Sequence, residues 1–189
     1  MSDGKDVNYG PLAGLIGTWE GDKGMDLAPV PDGTEENPFY ETIDFAAAGD
    51  VENAETQKLA VVRYHQIVRR KSDDEVFHDQ VGYWLWDAST NTIVQSVNIP
   101  RAVAVLAGGT FTADAKAADV VLEVRAARGD ADWGIIQSPF MRDNASTESF
   151  ENKITIRGQR LSYAETTNLR IYGRSFEHTD RNELQCTSR

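Results

Sequence analysis

Hydrophobic positions in this chain recur mostly at a spacing of two, the period of a β-strand. Between Arg160 and His178, Leu161, Tyr163, Glu165, Thr167, Leu169 and Ile171 share one face, while Arg160, Ser162, Ala164, Thr166, Asn168 and Arg170 share the other. This stretch reads as one long strand, whose edge needs pairing or cover. Phe39, Glu41, Ile43 and Phe45 alternate with Tyr40, Thr42 and Asp44 as a half-buried strand. Over 59–68, Leu59, Val61, Arg63, His65 and Ile67 oppose Ala60, Val62, Tyr64, Gln66 and Val68. Further strands are predicted over 76–87 and 91–100, joined by a turn at 87–91, and in short pieces over 119–129 and 132–139. Residues 101–115 read as a strand, a gap and another strand. A hairpin is predicted around Arg157, Gly158 and Gln159, with Gly158 supplying a positive φ.

The rest is less regular. Residues 1–11 read as a flexible lead-in, and Leu12–Trp19 as a helical turn or two entering a strand. The glycines, prolines and aspartates of 21–38 predict a long loop or a short strand with a flexible crossing. Residues 46–58 read as a connection. The sum is about ten strands and no convincing amphipathic helix, so the expected fold is all-β: a closed antiparallel barrel of about ten strands, formed by one domain over 12–189.

Composition narrows the partners. With 189 residues, 40% of them hydrophobic, the chain can bury one sizeable core. A net charge of −11 disfavours nucleic acid and anionic membrane as main partners, since both reward clustered Lys and Arg. The one dense basic run, Arg69–Lys71, is followed at once by Asp73, Asp74 and Glu75. A single cysteine, Cys186, cannot form an internal disulfide, and no run approaches the roughly 18 apolar residues of a membrane span. The expected location is the cytoplasm.

Candidate chemistry is sparse. His65, His78 and His178 lack the spacing of a metal motif, and no HExxH, CxxC, phosphate loop or GxSxG is present. The ordinary role of a lone histidine is a surface or hydrogen-bonded one, but one histidine suffices to ligate a haem iron. His178, following Phe176 at strand spacing, is the candidate at a cavity rim. Trp84 and Trp86 share a face, as pocket wall or as packing, and Trp19 stands between Gly17 and Gly21, as a barrel entrance or as plain structure. Asp79, Asp87, Glu123 and Glu165 are isolated carboxylates on strands. Only Glu165 falls on a mixed, interior-type face, where a polar network is its ordinary role.

Four segments carry a resemblance: GTWEGDKG at 17–24, FYETIDF at 39–45, VFHDQVGYWLWD at 76–87 and YGRSFEHTDRNEL at 172–184. Together, from about Leu12 to Leu184, they resemble the nitrobindin-like family of haem-binding β-barrels, whose fold is like that of lipocalins and fatty-acid-binding proteins. Gly17, Trp19 and Gly21 match the family's GxWxGxG, with Lys23 standing in place of the third glycine. The resemblance implies haem b as cofactor and His178 as iron ligand, with Trp19, Trp84, Trp86 and Lys23 around it. It also implies nitric oxide binding and a haem-dependent peroxynitrite isomerase activity that yields nitrate. Two other readings stand beside it: a non-catalytic barrel carrying a fatty acid or other small apolar ligand, and a barrel filled with its own side chains. A homodimer is carried as a candidate assembly.

Overall fold

The computed structural model describes residues 7–113 and 118–189. Eleven strands build one antiparallel sheet: β1 (Gly17–Val30), β2 (Gly33–Asn53), β3 (Gln57–Arg70), β4 (Val76–Asp87), β5 (Thr92–Ile99), β6 (Val103–Thr110), β7 (Val120–Ala127), β8 (Ile135–Gln137), β9 (Ala145–Arg157), β10 (Arg160–Ile171) and β11 (Arg174–Ser188). Their order is β5-β4-β3-β2-β1-β11-β10-β9-β7-β6-β8, and β5 also pairs with β6. That last pairing closes ten strands into a barrel, leaving the short β8 outside the ring. One edge of β6 serves two partners, β8 along Val103–Val105 and β7 at Gly108. Closure removes the open edges that a sheet of this length would otherwise expose.

The alternation read from the sequence is the inside–outside alternation of the wall. In β9, Phe150, Asn152, Ile154 and Ile156 are buried while Glu151 and Lys153 are exposed. In β3 the buried set contains Ala60, Val62, Tyr64 and Val68, with Arg63 and His65 outside. The β9–β10 hairpin turns at Gly158, whose φ is +60°.

Several expected boundaries move. The stretch from Arg160 to His178 is two strands, because the chain reverses at Tyr172 and Gly173, both with positive φ. Residues 21–38 form the β1–β2 hairpin rather than a long loop or a short strand with a flexible crossing: two long strands hold even Pro29 in the ladder, opposite Thr34. Most of 46–58 likewise belongs to β2 and β3, with only Ala54–Thr56 between them. Residues 103–110 are one strand, and the second strand expected over 101–115 runs into residues 114–117, outside those described. A short helix, α1 (Pro139–Asn144), was not expected; the Ser138 hydroxyl caps it by accepting from the Met141 amide at 3.3 Å.

A 3₁₀ turn at Gly10–Gly14 plugs one end of the barrel. Leu12 and Leu15 are fully buried there, and the Tyr9 hydroxyl accepts from the Gly49 amide at 3.0 Å, so the stretch before Leu12 is tied down from at least Tyr9 onward. A Cβ on Gly10 would collide with the Trp86 ring at 2.3 Å, a close approach that only glycine permits. Above the plug, Trp19, Phe45, Val62, Trp84, Ile93, Leu161 and Leu184 fill the bore as an apolar floor.

Candidate functional site

Successive inward positions on the strands stack as layers, and the layer above the floor is polar. Glu41 accepts from Asn182 Nδ2 at 2.8 Å and from Gln66 Nε2 at 2.6 Å. Tyr64 accepts from Gln80 at 2.8 Å and from Gln95 at 3.3 Å, and donates to the Ser96 carbonyl at 3.1 Å. Asn152 donates to Gln95 at 3.0 Å. Such a belt spans the bore because buried polar groups persist only with partners. Burial pushes the Glu41 carboxyl up to about 7 against the hydrogen bonds it accepts.

The end opposite the plug holds a cavity of about 610 Å³, within the roughly 300–1,000 Å³ usual for small-molecule sites. Its two sides differ. Phe77, Val97, Ile99, Val103, Val105 and Phe150 make an apolar side, while Asp26, Glu165, His178 and Asp180 make a polar one. Arg70 and Arg101 also border the cavity; Arg70 is paired with Asp73 at 2.6 Å and lies over the Phe77 ring.

Register explains the polar side. Asp26 on β1 lies opposite Asp180 on β11, which lies opposite Glu165 on β10, so three carboxyls share one row across adjacent strands. His178 is the next inward residue along β11. Its Nε2 is 2.7 Å from Asp26 Oδ1 and 3.3 Å from Asp180 Oδ2. Asn37, paired with Asp26 in the ladder, donates to Asp26 Oδ2 at 2.9 Å. Burial and then the Asp180 charge push Glu165 up to about 8; burial likewise raises Asp180. Burial pulls the His178 imidazole down, but the Asp26 hydrogen bond and the Asp180 charge outweigh it and leave the group raised. His78, at the cavity wall and 3.1 Å from Gln80 Oε1, is lowered by burial.

Of the residues singled out in the sequence, His178, His78 and Glu165 line this cavity, whereas His65 lies outside the barrel. Trp19 and Trp84 do not line it: both are wholly buried in the floor, and Trp19 Nε1 donates to the Leu15 carbonyl at 2.6 Å. Trp86 is half-buried against the plug. Lys23 lies on the outer surface, 3.0 Å from Glu183. Asp79 pairs with His65 outside the barrel, Asp87 caps its turn through Ser89, and Glu123 faces Lys153 on the surface. Asp26, Glu41 and Asp180 were missed. Asp26 fell in a stretch read as a loop, whereas Asp180 carried a legible signal, two residues beyond His178 and hence on the same face.

A closed ten-stranded barrel, plugged at one end and holding at the other a cavity with His78 and His178 in its wall, defines a small-ligand-binding barrel. Residues 8–185 match the family described as the THAP4-like, heme-binding beta-barrel domain, and the chain belongs to that family. No curated protein sequence matches the chain. Among solved structures it is similar to the crystal structure of Rv2717c from M. tuberculosis, with 20% identity and a TM-score of 0.67 over 93% of this chain and 94% of that one. That likeness supports the barrel fold. Among the described residues, no helix is long and apolar enough to cross a membrane.

Haem fits this cavity in three respects. The volume suits a flat ligand of that size, an apolar side stands ready for a porphyrin face, and His178 supplies an imidazole in the wall. Asp26 holds the Nε2 of that imidazole, so an iron at the same nitrogen and the Asp26 hydrogen bond are alternatives. A carboxylate that orients a metal-ligating histidine does so from the other ring nitrogen, so Asp26 must release Nε2 before iron binds there.

Proposed function

We propose that the protein holds haem b in the open-end cavity with His178 as the iron ligand, and that the loaded form binds nitric oxide and isomerises peroxynitrite to nitrate. The observation that carries this reading is His178 in the wall of an otherwise roomy, half-apolar cavity in a chain of the haem-binding barrel family. When bound, haem would supply the redox-active iron on which that chemistry depends. The chain's own residues have four tasks. Asp26 and Asp180 hold His178 Nε2 in the haem-free protein and take up the proton that this nitrogen gives up when iron replaces them. Phe77, Val97 and Val105 keep one side of the cavity dry. Arg70 and Arg101 offer positive charge to acidic side groups or an anionic substrate. The polar belt and the tryptophan floor close the bore beneath, so a ligand enters from one end only.

Titration of the apoprotein with ferric haem tests this. One-to-one uptake with a Soret band that shifts or disappears in His178→Ala is the expected result. No saturable uptake, or a spectrum unchanged by the substitution, refutes ligation by His178. The apolar side also favours a second reading, transport of a fatty acid or similar small apolar molecule without haem. It predicts displacement of a fluorescent fatty acid from the cavity, with little effect from His178→Ala.

A further inference from the structure

We propose that Asp26, His178 and Asp180, with Glu165 as a further donor, form a binding site for a divalent transition-metal ion held directly by the protein, without a porphyrin. One ligand atom from each of Asp26, His178 and Asp180 lies within 4.8 Å of the others. His178 Nε2 is 2.7 Å from Asp26 Oδ1 and 3.3 Å from Asp180 Oδ2. Two donors bound at right angles to one ion, each at about 2.1 Å, stand about 3.0 Å apart, so an ion could replace the shared proton of this cluster with only small shifts of its side chains.

Glu165 points to the same conclusion independently. It sits beside Asp180 in the strand row, lines the same cavity and makes no hydrogen bond among the described residues. Like charges directly opposite one another on a sheet destabilise it, yet this row places Asp26, Asp180 and Glu165 side by side. Among the described residues, no Lys or Arg pairs with any of them. Arg70 is engaged with Asp73, and Arg101 donates to the Phe77 carbonyl at 3.3 Å. The imidazole of His178, shared between Asp26 and Asp180, is the one positive group at this row among the described residues, and a dication would bring more charge to the three carboxyls. Asn37 already fixes the Asp26 carboxylate through its second oxygen, as outer partners of metal ligands do.

The donor set selects the ion. One imidazole with carboxylate oxygens and no thiolate suits Zn²⁺, Fe²⁺ or Mn²⁺ and disfavours Cu⁺. The cavity side of the cluster leaves coordination positions open for water or a small ligand. The site goes beyond the haem reading, and the two occupants exclude each other because both need Nε2 of His178.

Chelator-stripped, haem-free protein would be titrated with Zn²⁺ by calorimetry and with Co²⁺ by visible absorption. One ion per chain is expected, with affinity falling by at least about 10- to 100-fold in Asp180→Asn and in Asp26→Asn. Glu165→Gln should weaken binding less, and His65→Ala, on the outer surface, should leave it unchanged. Thermal melts confirm that each variant is folded, and Asp180→Asn serves if Asp26→Asn does not fold. No binding, or equal affinity in wild type and Asp180→Asn, overturns the proposal. Haem uptake is read separately by the Soret band. Failure there with Zn²⁺ binding intact removes the haem reading alone, and haem uptake without Zn²⁺ binding removes this one alone.

Discussion

Replacing Glu41 with glutamine should flatten the pH dependence of stability, because Glu41 is an ionisable group buried in the polar belt with 3% of its surface exposed. Its carboxyl rises from an ordinary 4.5 to about 7, chiefly through burial. Between those two values the folded protein keeps a proton that the unfolded chain releases. Stability contributed by this group is therefore present at low pH, declines as pH rises through the window, and levels off above about pH 8. At about 1.36 kcal/mol per pKa unit the full effect is about 3 kcal/mol, of which about 2.5 kcal/mol falls between pH 5 and 8. For a chain of this size that is a change of roughly 5–10 °C in Tm. Glu41→Gln keeps the shape and removes the titration; Asn182, whose Oδ1 accepts from the Lys23 and Glu183 amides, keeps donating to the new carbonyl, and the Gln66 amide can turn to accept from the new NH2. The assay is denaturant unfolding of both proteins at pH 5, 6, 7 and 8. Glu165 and Asp180 tilt both curves, and because the Glu41 charge helps raise both, its removal relaxes them in the same direction. The informative quantity is the difference between the curves, which should grow with pH in favour of the variant. Parallel curves across the range would refute the reasoning.

Other substitutions probe the frame around the cavity. Trp84→Ala empties a large part of the apolar floor and should cost about 3–5 kcal/mol in urea unfolding, since Trp84 has no exposed surface. Gly82→Ala sets a Cβ 1.9 Å from the Ser96 carbonyl oxygen across the β4–β5 ladder; a loss of about 1–3 kcal/mol, seen as a lowered Tm, is expected. Lys23→Ala removes only an exposed ion pair with Glu183. Stability should change by no more than about 0.5 kcal/mol, and haem uptake measured by the Soret band should stay as in wild type.

Alternation along the chain determined the all-β class, most strand positions and the inward face of β10, from Leu161 through Tyr163, Glu165, Thr167, Leu169 and Ile171. Local chemistry was enough for this, because a side chain's face depends only on its parity within a strand. Gly158 marked its turn for the same local reason, a positive φ. Parity does not say where a strand ends when the turn residues are unremarkable, and Tyr172 beside Gly173 hid the reversal that separates β10 from β11. Nor did the abundance of Gly, Pro and Asp in 21–38 reveal a hairpin, since the long ladder between β1 and β2 outweighs local turn preference.

The site itself was decided by tertiary structure. His178 was legible as a candidate, but its environment depends on which strands lie beside β11. Chain order brings β10 there, and only barrel closure brings β1, whose Asp26 is 152 residues away. Height along the bore did the rest. A tryptophan and a histidine at equally inward positions have different fates, Trp84 packed into the floor and His178 set at the cavity, because depth within a barrel follows from strand stagger and tilt. A sequence carries the parity of each strand in its own residues, whereas stagger between strands far apart in the chain is set only when the ring closes.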